Sequence, residues 1–114
     1  MNSNEEVLTL IYRIKDNLVW EVSEDQVVTI LEKQDHRIQR FFRKIGLKIP
    51  VYKRVKLDGF GSFVFLQIDG KRSVEEIGRL LDEKYGEDAH PIYERLLLFL
   101  NYVDTTAEYI ERIS

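Results

Sequence analysis

An α+β fold is expected for this chain, and three observations predict it. Runs rich in β-branched and aromatic residues occupy the first half, helical periods separated by short polar turns fill the second, and one strongly basic amphipathic stretch interrupts the runs. The architecture they imply is a three-stranded antiparallel sheet followed by three helices, with a basic helix inserted between strands two and three. At 114 residues the chain is long enough to bury a single core.

The N-terminal segment, residues 1–16, carries apolar side chains at Val7, Leu8, Leu10, Ile11, Tyr12 and Ile14. That pattern fits a short helix or a strand, and periodicity does not separate the two. Residues 17–32 read as a hairpin. Leu18 to Val22 and Val27 to Leu31 are the strands, and Ser23-Glu24-Asp25-Gln26 is the polar turn.

Residues 33–49 form the basic insertion. Ile38, Phe41, Phe42 and Ile45 recur at i, i+3, i+4 and i+7, one helical stripe, with Arg37, Arg40, Arg43 and Lys44 mostly off it. Gly46 suits the position after the helix end, and Pro50 blocks continuation. Val51 to Leu57 then alternates as a third strand that starts directly after the proline.

From Asp58 onward the signals are helical. Phe60 to Ile68 has strand propensity, yet a fully buried helix would look the same. Asp69-Gly70 is a turn signal, and Ser73-Val74-Glu75-Glu76 is a capping box, with Ser at the N-cap and Glu three residues on. Val74, Ile77, Leu80, Leu81 and Tyr85 make the next stripe, ended by Gly86. Pro91 suits the first turn of a last helix whose face is Ile92, Leu96, Phe99, Leu100 and Val103. The tail, residues 105–114, keeps a weak helical period.

Charge is sharply divided. Residues 33–56 hold nine basic side chains against the single acid Asp35, or +8. The remaining residues hold eight basic and nineteen acidic side chains, or −11, which recovers the net −3. Such asymmetry favours a polyanionic partner: nucleic acid, an acidic peptide or an anionic surface. A solvated cationic face is the plain alternative.

Catalytic signals are missing from the sequence. With no Cys there is no disulfide, thiolate metal site or cysteine nucleophile. His36 and His90 lie in no metal-ligand spacing, and His90 reads as a polar cap beside Pro91. Gly59-Phe60-Gly61 is too short for a phosphate cradle. No enzyme activity, metal or cofactor is expected. The polar, acidic start Met1-Asn2-Ser3-Asn4-Glu5-Glu6 is unlike a secretory signal, and no apolar run would span a membrane. A cytoplasmic protein without membrane contact is expected.

Three strands followed by three helices is the order of a winged helix-turn-helix fold. Leu57-Asp58-Gly59-Phe60-Gly61-Ser62-Phe63-Val64-Phe65, then Ile68-Asp69-Gly70-Lys71-Arg72-Ser73-Val74-Glu75-Glu76-Ile77, then Leu80-Leu81 and Tyr85-Gly86, resembles the PqqD family. These are small precursor-peptide-binding domains, also called RiPP recognition elements. The resemblance covers roughly residues 51 to 103 and makes the chain a single PqqD-like domain, with residues 50–104 as its strand and three-helix unit. It implies that Phe60 to Ile68 is a helix. It also implies a non-catalytic peptide chaperone of natural product biosynthesis. Such a protein captures the leader of a ribosomally made precursor peptide by strand addition and presents it to a modifying enzyme, often a radical SAM protein. Carried onto this chain, the docking edge is Val51, Tyr52, Lys53, Arg54, Val55 and Lys56, with Tyr93 and Leu97 on the margin of the last helix. The inserted helix has no counterpart in the family pattern.

The competing reading is a winged-helix nucleic-acid binder that sets the basic 33–56 stretch on phosphates, with a salt-steep affinity. Against it, the helix in the recognition position, His90 to Leu98, is poor in the Arg, Asn and Gln that read base edges. A homodimer through the leucine-rich helix or the N-terminal segment is compatible with either reading.

Overall fold

The computed structural model describes residues 3–33, 36–47 and 52–114 of the chain. It is an α+β protein with two antiparallel sheets and five α-helices among those residues. The larger sheet contains β2 (Val19–Val22), β3 (Val28–Lys33) and β4 (Tyr52–Lys56), in that order, with β3 central. The hairpin forms where expected: Ser23 N–H donates to the Val27 carbonyl at 3.0 Å, and Gln26 adopts φ 65° to close the turn.

The register sets one face against the core. Trp20 lies opposite Ile30, which lies opposite Val55. Val28 and Ile30 are fully buried beneath α3 (Gly59–Gln67), and Trp20 meets Phe65 edge-on with ring centroids 5.0 Å apart. The other face carries Glu21, Thr29, Arg54 and Lys56 into solvent, the inside-outside alternation of a sheet covered on one side.

Phe60 to Gln67 is helical and Ile68 is the extended residue that ends the helix, so the segment expected over Phe60 to Ile68 forms as the family resemblance implied and against its strand propensity. Asp58 caps α3, its carboxylate accepting from Gly61 N–H at 2.7 Å. Apolar side chains surround the helix because the core surrounds it. Val64, Phe65 and Ile68 are buried, and α4 (Val74–Tyr85) and α5 (Ile92–Asn101) pack on its remaining sides. The capping box of α4 is complete: Glu76 N–H donates to Ser73 Oγ at 3.3 Å, and Ser73 N–H donates to Glu76 Oε1 at 3.2 Å. Pro91 occupies the N-cap of α5, and His90 sits beside Asp82 at 3.2 Å.

The ends of the chain meet each other. The N-terminal segment is helix and then strand, α1 (Ser3–Leu8) and β1 (Tyr12–Ile14). The expected helical tail is corrected. After α5 a π-helical turn, Tyr102–Thr106, leads to a strand, β5 (Ile110–Arg112), antiparallel to β1. Glu108, at φ 59°, ends the helical path. Burial of Tyr109 and Ile110 then makes strand pairing more favourable than an exposed helix. Arg13 donates to Glu111 across this pair, Nε to Oε1 at 2.6 Å. On its other side the segment is tied to the α3–α4 turn by Val74 N–H to Leu10 O at 2.9 Å and Gly70 N–H to Tyr12 O at 3.0 Å.

Between β3 and β4 lies α2 (His36–Lys44). Leu47 N–H donates to Phe42 O at 2.8 Å and Gly46 N–H to Arg43 O at 3.1 Å, with Gly46 at φ 82°. This is a Schellman termination with glycine in the left-handed position. Phe41 and Ile45 of the stripe remain 59% and 55% exposed.

Candidate functional site

Strand β4 bonds β3 on one side and has no partner strand on the other among the described residues. Which of its groups face that open side follows from the ladder. Leu57 N–H donates to Val28 O at 2.9 Å, so the pairs Ile30–Val55 and Glu32–Lys53, two and four residues away, are the bonded ones. The backbone N–H and C=O groups of Tyr52, Arg54 and Lys56 therefore point outward from the sheet.

The strand is held in place by a buried hydroxyl. Val28 N–H donates to Ser62 Oγ at 2.9 Å, and the Ser62 hydroxyl donates to Leu57 O at 3.4 Å. Ser62 thus bridges β3 and β4 at the point where β4 hands over to α3, and it is the buried polar side chain of the core. Fully satisfied, it fixes the end of the edge strand.

The last helix presents two flanks on either side of its buried stripe, Ile92, Leu96, Leu100 and Val103. On one flank Tyr93 lies over Gly78 of α4, where an added Cβ would come within 2.4 Å of the ring, and its hydroxyl donates to Glu75 O at 3.3 Å. Leu97, one turn on, is half-buried against the core. The opposite flank carries Arg95, Phe99 and Tyr102. Arg95 stacks over Phe60 at 4.4 Å, and a Cβ at Gly61 would stand 2.9 Å from Phe99 Cε1. Asp58 and Gly61 lie a few residues beyond the end of β4, so this second flank lies near the strand's C-terminal end, whereas Tyr93 packs on α4. Phe99, expected only as part of the apolar face of this helix, sits over the side-chain-free position at Gly61, which makes room for its ring.

At the other end of β4 the chain after the π-helical turn closes in. Tyr109 donates its hydroxyl to Glu32, the residue opposite Lys53. Burial pushes the Tyr109 hydroxyl far above the ordinary phenol range; the hydrogen bond to Glu32, the Glu32 charge and nearby Tyr102 add to the shift. A cavity of about 380 Å³ opens here between Lys33 and Tyr52 on the sheet and Ala107, Glu108 and Tyr109 beyond it. The α5–π segment and its continuation thus meet α3 at Gly61 through Phe99 and β3 at Glu32 through Tyr109, with half-exposed Tyr102 near Tyr109.

Electrostatically the edge is cationic. On the solvent face Arg54 reaches Glu21, whereas Lys56 lies opposite neutral Thr29. Of the residues expected to dock a ligand, Tyr52, Lys53, Arg54, Val55 and Lys56 share this edge, and Val51 lies outside the described residues. Among the described residues no group of His, Asp and Glu is placed to hold a metal ion, and no helix is long and apolar enough to cross a membrane.

The class is therefore a small α+β protein whose larger antiparallel sheet ends, among the described residues, in an open basic strand. Residues 50–104, just under half of the chain, match the family model described as coenzyme PQQ synthesis protein D (PqqD), and this stretch is similar to that family. The match runs from the start of the edge strand to the π-helical turn and leaves out α2. No curated protein and no solved structure matches the chain.

Proposed function

We propose that this protein is a non-catalytic peptide-binding partner in the maturation of a ribosomally made peptide. It takes up the leader segment as an extra strand on β4 and presents it to a modifying enzyme, which in this family's setting is a radical SAM protein. In this reading β2–β4 and α3–α5 form the winged helix-turn-helix unit, and α2 is an insertion into it. The observation that carries the proposal is the row of outward N–H and C=O groups at Tyr52, Arg54 and Lys56 within the family-matching stretch. Strand addition draws affinity from such groups and selectivity from alternate side-chain pockets. The groove wall in this reading is the flank bearing Phe99 and Tyr102, since Tyr93 packs over Gly78 of α4.

The test is titration of labelled full-length protein with the leader peptide encoded beside its gene. Amide resonances of Tyr52 to Lys56 are expected to move, and silence along this strand overturns the reading. Arg54→Pro removes an outward donor without touching the β3 ladder, so it is expected to abolish peptide binding while the protein stays folded. If the leader leaves the strand untouched and duplex DNA binds with steep salt dependence instead, the nucleic-acid alternative replaces it.

A further inference from the structure

Helix α2 lies outside the family-matching residues, and the strand-addition reading gives it no task. It joins β3 to β4 at the Lys33–Tyr52 end of their ladder, the end away from Leu57 and α3. Side chains four apart on a helix form rows, and two neighbouring rows of α2 differ in kind. Phe41 and Ile45 make an apolar row, 59% and 55% exposed, which Leu47 extends beyond the helix at 53%. Arg40 and Lys44, both exposed, make the row beside it, with Arg43 exposed further round. Phe42 and Gln39, on the other flank, are half-buried. The cations of this surface are not neutralised by the protein. Elsewhere arginines meet carboxylates: Arg13 pairs with Glu111, Arg54 with Glu21, Arg72 with Asp69 and Arg79 with Glu75. Among the described residues no ion pair reaches Arg40, Arg43 or Lys44, and residues 36–47 contain no acid.

An exposed apolar row bordered by uncompensated cations fits a partner that is anionic at its surface and apolar just beneath. We propose that α2 docks this protein peripherally on an anionic lipid bilayer. Phe41, Ile45 and Leu47 enter the boundary between headgroups and acyl chains, and Arg40, Arg43 and Lys44 meet the phosphates. Duplex nucleic acid would satisfy the cations but leave the apolar row in water. A second copy joined stripe to stripe would set its own Arg40 and Lys44 against these. The rest of the chain supplies an orientation. Outside residues 33–56 it carries −11, so the surface that draws α2 in pushes the body away. The expectation of no membrane contact rested on the want of a spanning segment, and a helix lying in the interface needs none.

The test is co-sedimentation of the full-length protein with lipid vesicles. It should sediment with vesicles of equal parts phosphatidylcholine and phosphatidylglycerol, less so as salt rises, and stay in solution with phosphatidylcholine alone. Arg43→Gln should weaken binding about fivefold, the equivalent of about 1 kcal/mol for one charge at such a surface. Phe41→Ala, which removes apolar area and no charge, should weaken it about tenfold. Because the chain has no Cys, Ile45→Cys gives a single site for an environment-sensitive dye. Its emission should shift to the blue on the anionic vesicles, while the same dye at Glu83→Cys on α4 should not respond. Failure to sediment with the phosphatidylglycerol vesicles overturns the proposal. Binding that Phe41→Ala leaves unchanged also overturns it, as charge attraction alone. So does self-association in solution that Phe41→Ala abolishes, which would make a second copy the occupant. Leader binding at β4 is independent of each of these outcomes.

Discussion

Two nine-residue helices flank the edge strand, and they have opposite fates. The first, α2, has a clean apolar stripe and a basic face, and its stripe stays in solvent at Phe41 and Ile45, as does Leu47 just beyond. The second, α3, has no stripe at all, and buries Gly61, Ser62, Val64 and Phe65. Periodicity thus predicts that a helix forms and says little about whether it is buried. An amphipathic pattern needs only one partner surface, and among the described residues none covers Phe41 and Ile45 of α2's stripe. A helix enclosed by β3, α4 and α5 needs apolar side chains all round, so its pattern is erased by its own success in packing.

The contrast is open to direct attack. The largest effect is expected from Phe65→Ala, which empties the core beneath Trp20 and should cost about 3–5 kcal/mol in chemical denaturation. Phe41→Ala on α2 should cost less than about 0.5 kcal/mol; comparable losses would mean that α2 is packed after all. Ser62→Ala leaves Val28 N–H buried without its acceptor, for about 1–3 kcal/mol, with faster amide exchange at Val28. Asp58→Ala uncaps α3 and should cost about 1 kcal/mol, read in the same denaturation curves.

Gly46→Ala puts a side chain into a left-handed conformation and should fray α2 by about 1 kcal/mol. Nothing lies within 4 Å of the new Cβ, so the denaturation midpoint should hardly move while helicity falls slightly. The smallest effect concerns pH. Hydrogen bonds from the Arg72 and then the Lys71 backbone amides hold the Asp69 carboxyl below the usual carboxylate range. A depressed folded-state pKa stabilises above the unfolded value, and this contribution is lost as pH falls through the folded one. Asp69→Asn should therefore make the acid limb of a stability–pH curve slightly shallower.

Local chemistry was readable wherever a side chain talks to its own neighbourhood. The Ser73–Glu76 box, the glycine termination at Gly46 and the Ser23 to Gln26 turn all depend on contacts a few residues apart. The candidate edge strand was legible from its alternation, expected over Val51 to Leu57 and observed over Tyr52–Lys56. The flank of α5 near its end was not. Tyr93 and Phe99 border the same buried stripe, and only the closeness of Gly78 to one and Gly61 to the other distinguishes them.

Residue order by itself determined the class of fold, the hairpin, the caps and the cationic strand, because hydrogen bonds and periodicity over a few residues are nearly independent of the rest of the chain. Tertiary structure decided what distant segments share. It turned the tail into a strand because β1 offered it a partner about a hundred residues away in sequence. It made α3 a helix by enclosing it, and among the described residues it left β4 paired with β3 on one side alone. Pairing and burial across such separations depend on which surfaces meet, and no short window of sequence contains that information.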